Sequence, residues 1–360
     1  MKITDVTSES YSWPKQRVFS SGRGRGATKY TASHLSFVFI HTDEGITGIG
    51  AGRSARDVEI LKPVLIGQDP LCHELLWDSM YNGIFRGNKY VESISTVDIA
   101  LWDLKAKVAG IPLYKLLGGM RKNLECYVAG GYYVDGKSIA DLQAEMEEYL
   151  SWGVKAVKMK VGGMTPCQDA LRVKAVREAI GTECKLLIDA NGAWKWNEAV
   201  EFSKRVEEFY PFWFEEPCSF TDLAGFKQLH AHTTIPLAAG ESVTGKYEQR
   251  DLIDSGAISF VQPDAVLCGG VTEVMKIGAY ADSRNIWIAP HGIQQVHVHL
   301  NCAMPNATIT EFYPPQFDKL VYDAYKYPAK INADGTISPP ENPGASFDMV
   351  PEVLAPYRVG

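Results

Sequence analysis

The sequence lacks the features that mark membrane, nucleic-acid-binding and disulfide-stabilised proteins. No apolar stretch among its 360 residues approaches the length of a membrane span. It has no run of Lys and Arg, and its net charge of −7 argues against nucleic acid as a ligand. The 7 cysteines are scattered and free of Cys-x-x-Cys spacing, which predicts reduced thiols in a cytoplasmic protein. The N-terminal stretch holds no continuous hydrophobic region, so we expect no secretory signal.

What the sequence does contain is a repeat in which a short apolar run ends in one acid or base. The ends of these runs are spaced by 20 to 27 residues and are Asp189, Glu215, Glu241, Asp264, His291 and Glu311. A strand, a helix and two loops take up about that length, so the repeat predicts βα units. A parallel strand buried on both faces tolerates charge only at its ends, and in a βα barrel the carboxyl ends carry the active site.

The rest of the chain divides around this repeat. Residues 35–40 alternate before the turn at 43–45 and predict an antiparallel hairpin with 46–49. A helix over about 97–108 is expected to start at Ser95 or Thr96 and to end at Gly110. From Tyr127 the pattern gives eight strands and seven helices. The tail is rich in Pro, Gly and Asn and is expected to pack back on the N-terminal region.

Three of the predicted strands end in the carboxylates Asp189, Glu215 and Glu241. Converging carboxylates repel one another, so they hold either protons or a metal. Oxygen ligands without an adjacent His or Cys favour a hard ion, and room for water and substrate favours Mg²⁺. The alternative is that some of these acids cap helices or pair with Lys158 and Lys160.

Two further constellations predict proton transfer. Lys158 and Lys160 alternate along one strand and therefore face the same way. Lys158 and a nearby cation predict a lowered pKa for Lys160, which would make it a base. Asp264 is expected to orient His291, which would otherwise be a structural histidine. A substrate carboxylate on the metal would then accept charge when the adjacent proton leaves, and Glu311, if protonated or sharing a proton, would hydrogen-bond the same oxygen.

Four other histidines are interpreted as structural. They lie within a predicted helix or in the antiparallel region, away from strand ends, and are His34, His41, His297 and His299.

The ordered set of motifs resembles the enolase superfamily, mandelate racemase subgroup, over most of the chain. It comprises residues 95–104 and 116–119, Lys158-Met159-Lys160, Asp189-Ala190-Asn191, Glu215-Glu216-Pro217, Gly240-Glu241, Pro263-Asp264 and His291. The resemblance implies an α/β fold, a modified TIM barrel of the (β/α)7β type with an α+β N-terminal capping domain completed by the C-terminal tail. The expected divisions are 1–120 for the capping domain, with lid loops at about 18–30 and 50–57, 121–315 for the barrel and 316–360 for the tail.

The resemblance also implies a role for each candidate residue. Asp189, Glu215 and Glu241 look like Mg²⁺ ligands, and Glu216 is similar to an acid behind them that is not a ligand. Lys160 resembles the base on one face and Lys158 the electrophilic partner of the carboxylate. Asp264 and His291 resemble the dyad on the other face, and Glu311 the acid that hydrogen-bonds the enediolate.

The substrate end departs from the subgroup's pattern, because the first lid loop is rich in Gly and Arg. Arg23, Arg25 and Lys29, together with Asn191, are predicted to contact the substrate, and Arg53 and Arg56 lie in the second loop. These cations favour a hydroxylated mono- or diacid over an aromatic acid.

The expected function is therefore Mg²⁺-dependent removal of an α-proton through an enediolate, with loss of water from an acid sugar to give a 2-keto-3-deoxy acid. The alternative is a two-base racemase, an epimerase or a lactone cycloisomerase that uses the same residues. Two more distant alternatives are an acid-binding barrel without turnover and a Schiff-base aldolase that uses Lys160. The expected partners are a small carboxylate substrate and further copies of this chain, with no nucleic acid and no membrane.

Overall fold

The N-terminal part of the chain is a three-stranded antiparallel sheet covered by helices. The computed structural model describes residues 1–22 and 29–359. The strands pair in the order β1 (Ile3–Ser20), β2 (Lys29–Thr42) and β3 (Thr47–Gly52), with the β2–β3 turn passing through Gly45 at a φ of 78°. This confirms the predicted hairpin. The helices are α1 (Val58–Leu65), α2 (His73–Tyr81), α3 (Val91–Ala109) and α4 (Leu113–Leu116).

Helix α3 packs directly on β3 but begins earlier than its sequence indicates. A Cβ on Gly48 would lie 2.3 Å from the carbonyl oxygen of Ala100, so this approach requires glycine. The predicted start at Ser95 or Thr96 is wrong. The Ser95 hydroxyl instead donates to the Val91 carbonyl inside the helix and accepts from the Gly269 amide, so it joins α3 to the barrel. The predicted end is confirmed, since Gly110 caps the helix in the left-handed conformation.

Residues 124–312 form the eight strands and seven helices that the repeat predicts. The strands are β4 (Leu124–Gly130), β5 (Ala156–Lys160), β6 (Lys185–Asp189), β7 (Pro211–Glu215), β8 (Leu237–Ala239), β9 (Phe260–Val261), β10 (Trp287–Ile288) and β11 (Ile309–Phe312). The helices are α5 (Ile139–Ser151), α6 (Pro166–Ile180), α7 (Trp196–Val206), α8 (Leu223–His230), α9 (Gly245–Asp254), α10 (Gly270–Ser283) and α11 (Gln294–Ala303). Strands β4 to β10 pair in chain order, β11 returns to β4, and a parallel bridge between Ile288 and Ala307 joins the two ends.

The barrel interior is built in layers because alternate residues of each strand point inward. One apolar cluster contains one residue from each of the eight strands or from the position directly after the strand. Its members are Tyr127, Ala156, Leu187, Trp213, Ala238, Phe260, Ala289 and Ile309. Two residues further along the chain from these positions stand Lys158, Asp189, Glu215, His291 and Glu311. The charged groups therefore lie on an apolar floor at the carboxyl ends of the strands.

The C-terminal segment contacts both other parts of the chain. It contains α12 (Lys319–Asp323), β12 (Lys330–Ile331), β13 (Thr336–Ser338) and α13 (Pro351–Leu354). As expected it packs on the N-terminal sheet, where the Trp13 indole donates to Asp318 at 2.9 Å and Arg358 lies 3.1 Å from Glu9. The sequence did not predict that β13 would also pair antiparallel with β4.

No helix within residues 1–22 and 29–359 combines the length and the apolar character needed to cross a bilayer.

Asp103 on α3 forms hydrogen bonds to both the N-terminal sheet and the C-terminal segment, and these contacts lead to a prediction about stability. Its buried carboxylate accepts from the amides of Ile49 at 2.8 Å and Ala345 at 2.7 Å, and Lys107 lies 2.8 Å away. We expect Asp103→Ala to lower the free energy of unfolding by about 3 kcal/mol, because it leaves buried donors unpaired. Urea unfolding measures this. The control is Glu201→Ala, which removes an exposed ion pair and is expected to change little; equal losses would contradict the prediction.

Candidate active site

Three buried carboxylates meet at the mouth of the barrel. Asp189 and Glu215 end the paired strands β6 and β7, and Glu241 follows β8. Strand β8 ends at Ala239, and Gly240 has a φ of 133°, which turns Glu241 inward although it is out of step with the alternation. One oxygen from each acid lies within 4.8 Å of the others. The structure thus brings together the three acids predicted from the repeat.

Two lysines on β5 face these acids, as the alternation predicts. The Lys158 ammonium lies 2.8 Å from both Glu215 Oε1 and Glu311 Oε1, and 3.5 Å from Asp189. Burial lowers the pKa of Lys158, but Glu215 and Glu311 outweigh this and raise it well above its usual value. Lys158 is therefore a fixed cation.

Lys160 pairs directly with Asp189 and packs 5.4 Å from the ring of Tyr132. Burial lowers the pKa of Lys160, but the Asp189 carboxylate and other neighbours together raise it by more, so the pKa lies above its usual value. The protein groups alone therefore give the direction opposite to the expected one, and a lowering that includes the nearby cation stays a prediction. The physical reason is that the attraction of Asp189, which pairs directly with Lys160, outweighs the repulsion from Lys158, and sequence spacing alone cannot predict that contact.

The pKa values of Glu215 and Asp189 indicate that the two lysines do not neutralise all the negative charge of the site. Burial, then Asp189, raises the pKa of Glu215 to about 8 despite the opposing effect of Lys158. Asp189 goes the other way, because Lys160 and Lys158 overcome burial and lower its pKa. A buried oxygen-only cluster that two ammonium groups do not neutralise fits a hard divalent cation such as Mg²⁺.

Glu216 stays outside this cluster. Its buried carboxyl has an oxygen without a hydrogen-bond partner in the described part of the chain, and burial and Glu241 raise its pKa well above the usual value.

His291 lies across the mouth from the lysines and is held by Asp264. Its Nδ1 lies 3.2 Å from Asp264 Oδ2, as predicted for a dyad. Its Nε2 faces Glu241 Oε2 at 3.3 Å, the Tyr313 hydroxyl at 3.1 Å and Glu311 Oε2 at 3.9 Å. Burial lowers the pKa of His291, but Glu241 and Glu311 raise it, to about 9 overall.

Glu311 is anchored beside this imidazole by the Gly292 amide, which donates to it at 2.8 Å. Burial raises the pKa of Glu311, but Lys158 and His291 outweigh it and lower the pKa below its usual value. The protonated form expected from the sequence is therefore disfavoured by these neighbours.

Two other buried histidines are structural, as predicted. His297 Nε2 accepts from the Ala265 amide at 3.0 Å, and His299 Nδ1 accepts from the Tyr114 amide at 3.3 Å. Burial lowers the pKa of His299 to about 3, so it is neutral.

The predicted substrate residues fall in different places. Asn191 has a φ of 46°, which Asn tolerates better than most residues, and its amide donates to Glu241 at 3.2 Å. Its Oδ1 is buried without a partner among the described residues and lies at the cavity wall. Lys29 is exposed at the start of β2, and Arg23 and Arg25 lie outside the described residues. The substrate roles of these four residues stay predictions.

A cavity of about 630 Å³ opens above the site, between the barrel, the N-terminal sheet and the C-terminal segment. An aromatic group forms part of its wall: Phe19 lies 4.6 Å from Tyr132, 5.1 Å from Tyr30 and 5.1 Å from Phe317 between ring centroids. Arg53, on the second loop, reaches Asp264 at 3.4 Å. The described part of the wall thus combines this aromatic group with charged side chains.

Sequence reasoning missed Tyr132 and Tyr313, which lie beside Lys160 and His291. The alternation contained a signal for Tyr313, because it stands two residues beyond Glu311 and so shares its face.

Comparison with known proteins agrees with this geometry. Residues 141–353 match the family described as "Enolase C-terminal domain-like", and residues 25–118 match "Mandelate racemase / muconate lactonizing enzyme, N-terminal domain". The chain belongs to the enolase superfamily, in its mandelate racemase and muconate lactonizing enzyme group. The predicted fold, a (β/α)7β barrel with a capping domain, is confirmed as that of this superfamily.

Relatives in this group include dehydratases and a cycloisomerase. Arabinonate dehydratase of Saccharolobus solfataricus is 32% identical over 308 residues, covering 83% of this chain and 82% of that protein. D-galactarolactone cycloisomerase of Agrobacterium fabrum is 31% identical over 381 residues, covering 100% and 99%. L-talarate/galactarate dehydratase of Salmonella typhimurium, liganded with Mg and L-lyxarohydroxamate, has a TM-score of 0.89 at 28% identity and coverages of 100% and 93%.

The acid triad gives a prediction for metal binding. We expect Glu241→Gln to weaken Mg²⁺ binding at least about tenfold, because an amide oxygen carries no net charge. Isothermal titration calorimetry measures the dissociation constant. Thermal unfolding gives a second measure, since saturation at 100 times the dissociation constant stabilises the wild type by about 2.7 kcal/mol. Glu216→Gln is the matched control and is expected to keep most of the affinity; an unchanged Glu241→Gln variant would exclude Glu241 as a ligand.

Proposed function

We propose that this protein is a Mg²⁺-dependent dehydratase that removes water from an acid sugar and releases a 2-keto-3-deoxy acid. The observation that carries the proposal is the arrangement of two proton-transfer groups, Lys160 and His291, on either side of the acid triad. They stand on β5 and just after β10, which are not neighbours in the sheet. The dehydratases among the relatives support the same reaction class.

The metal ligands in this proposal are Asp189, Glu215 and Glu241. When bound there, Mg²⁺ would supply a Lewis acid that withdraws electrons from the substrate carboxylate. Lys158 lies beside the triad as a permanent cation and would stabilise the negative charge that develops on the carboxylate oxygens. Glu311, on the far side of Lys158, would keep that ammonium in place.

Lys160 is proposed to remove the proton from the carbon next to the carboxylate. Because Asp189 is a proposed metal ligand, its charge would be shared with the cation, and its effect in raising the pKa of Lys160 would weaken. The electron pair of the broken C–H bond forms the enediolate. Protonated His291, oriented by Asp264, then donates its Nε2 proton to the β-hydroxyl as the C–O bond breaks and water leaves. The enol product takes a proton at the β-carbon and becomes the 2-keto acid.

A second candidate is a cycloisomerase, racemase or epimerase that uses the same residues. The observation that favours it is the D-galactarolactone cycloisomerase, which matches the whole of this chain. Lys160 and His291 would then act as opposed bases, and no water would be lost.

Further expectations belong to this proposal. The substrate is a small hydroxylated carboxylate that contacts Asn191 and the lid residues Arg23, Arg25 and Lys29. The chain divides at about residues 120 and 315 and assembles with copies of itself. The cytoplasm is its proposed location, supported by 7 cysteines that are all free.

We expect Lys160→Ala to lower kcat at least about 1,000-fold with an acid-sugar substrate, because no other described group can replace the base on that face. The matched control is Lys185→Ala, on the neighbouring strand β6 at its opposite end, where Lys185 pairs with Glu125. It is expected to keep wild-type activity. Retained turnover in Lys160→Ala would contradict the role of Lys160.

The reaction itself is tested with a panel of mono- and diacid sugars in the presence of Mg²⁺. A dehydratase is expected to form a 2-keto product, detected as its semicarbazone, and to lose activity in EDTA. Exchange of the α-proton in D₂O without a keto product would instead identify the racemase or epimerase. EDTA-resistant turnover together with borohydride trapping would overturn both candidates in favour of an aldolase.

A further inference from the structure

Tyr313 is the described residue whose hydroxyl contacts the proton-transfer nitrogen of His291. It follows β11 directly, on the same face as Glu311, and lines the cavity. Its hydroxyl oxygen lies 3.1 Å from His291 Nε2, with the two rings nearly perpendicular at 85°. Because Asp264 occupies Nδ1, this contact falls on the nitrogen that must exchange a proton with the substrate.

The position of Tyr313 is fixed by its backbone rather than by its ring alone. Its carbonyl accepts a hydrogen bond from the Tyr322 hydroxyl, and that hydroxyl lies 2.6 Å from the amide nitrogen of Gln294. Gln294 opens α11 of the barrel, and Tyr322 lies in α12 of the C-terminal segment. Pro314 and Pro315 follow at once and restrict the chain. The phenol is therefore held at the imidazole by two separate parts of the fold.

A hydroxyl suits this position better than a carboxylate. It can donate to the lone pair of a neutral imidazole and accept from the N–H of an imidazolium, whereas an ionised carboxylate can only accept. Glu241 also faces Nε2 at 3.3 Å, but in the proposed function its oxygens bind the metal and are weaker acceptors. Burial and Glu311 raise the pKa of Tyr313 well above its usual value, so the phenol keeps its proton.

We propose that Tyr313 is a positioning residue whose hydrogen bond keeps Nε2 of His291 aimed into the cavity. This inference rests on the proposed function, in which His291 transfers a proton. The substrate hydroxyl takes over the hydrogen bond to Nε2 when it binds, and Tyr313 takes it back when the product leaves. Without the phenol, Asp264 alone among the described residues holds the ring by a hydrogen bond, at Nδ1, and the direction of Nε2 is less well fixed.

The kinetic test compares Tyr313→Phe with the wild type on the acid sugar that the wild type dehydrates. We expect kcat to fall about 10- to 100-fold, because a misplaced catalytic group costs about that much, with KM within about twofold. In the His291→Gln background the same substitution is expected to cause less than about twofold further loss, since its effect passes through His291. The control is Tyr114→Phe, which removes the hydrogen bond from another buried tyrosine, to Glu341, outside the cavity.

A spectroscopic measurement makes the test independent of turnover. In protein labelled with ¹⁵N-histidine, the His291 signals are assigned by their loss in His291→Gln. Tyr313→Phe is expected to shift the Nε2 resonance, and Tyr114→Phe to leave it in place. An unmoved resonance, a raised KM with unchanged kcat, or an equal loss in the His291→Gln background would each overturn the inference. Failure of the wild type on all acid sugars would overturn the proposed function instead, while the resonance would still report whether the hydrogen bond exists.

Discussion

The site depends on an imbalance of charge that the barrel holds away from water. Five buried carboxylates, those of Asp189, Glu215, Glu241, Asp264 and Glu311, face two buried ammonium groups. The layer beneath them is apolar, so nothing below the site can offset the surplus negative charge. Unpaired buried charge is costly, by several kcal/mol per ion. Burial, together with this surplus, raises the pKa of Glu215, and the surplus raises the pKa of His291 against the effect of burial. The same surplus makes the cluster fit a divalent cation. The surplus of negative charge therefore contributes both to the shifted pKa values and to the fit with a divalent cation.

The layered interior explains why so much of this site is readable from the sequence. A buried strand excludes charge except at its end, so each isolated acid or base after an apolar run had to mark a strand mouth. Alternation then places Lys158 and Lys160 on one face. Glu241 was found from its apolar run alone, because the twist at Gly240 breaks the alternation. The fold class and the acid triad thus follow from burial and periodicity, which are local properties of the chain.

What the sequence could not give are distances between residues far apart in the chain. The pKa of Lys160 depends on its direct contact with Asp189 on the neighbouring strand, and spacing along the chain does not predict that contact. The predicted start of α3 is too late because a serine before an apolar run resembles a helix cap in sequence. The Ser95 hydroxyl instead bonds the Val91 carbonyl within the helix and the Gly269 amide of the barrel. The pairing of β13 with β4 was missed because a three-residue strand carries too short a pattern to detect.

By their names, the relatives carry out more than one reaction, since dehydratases and a cycloisomerase align with this chain at similar identity. In the proposed function, the acids and lysines make the α-carbon acidic and stabilise the charge that results. What happens next depends on which oxygen stands at the β-carbon within reach of His291. That placement is set by the cavity wall, where the N-terminal sheet and the C-terminal segment meet at Asp318, which binds Trp13 and Lys15. In the proposed function, the outcome of the reaction therefore depends on the residues that cover the cavity and on the orientation of the His291 imidazole.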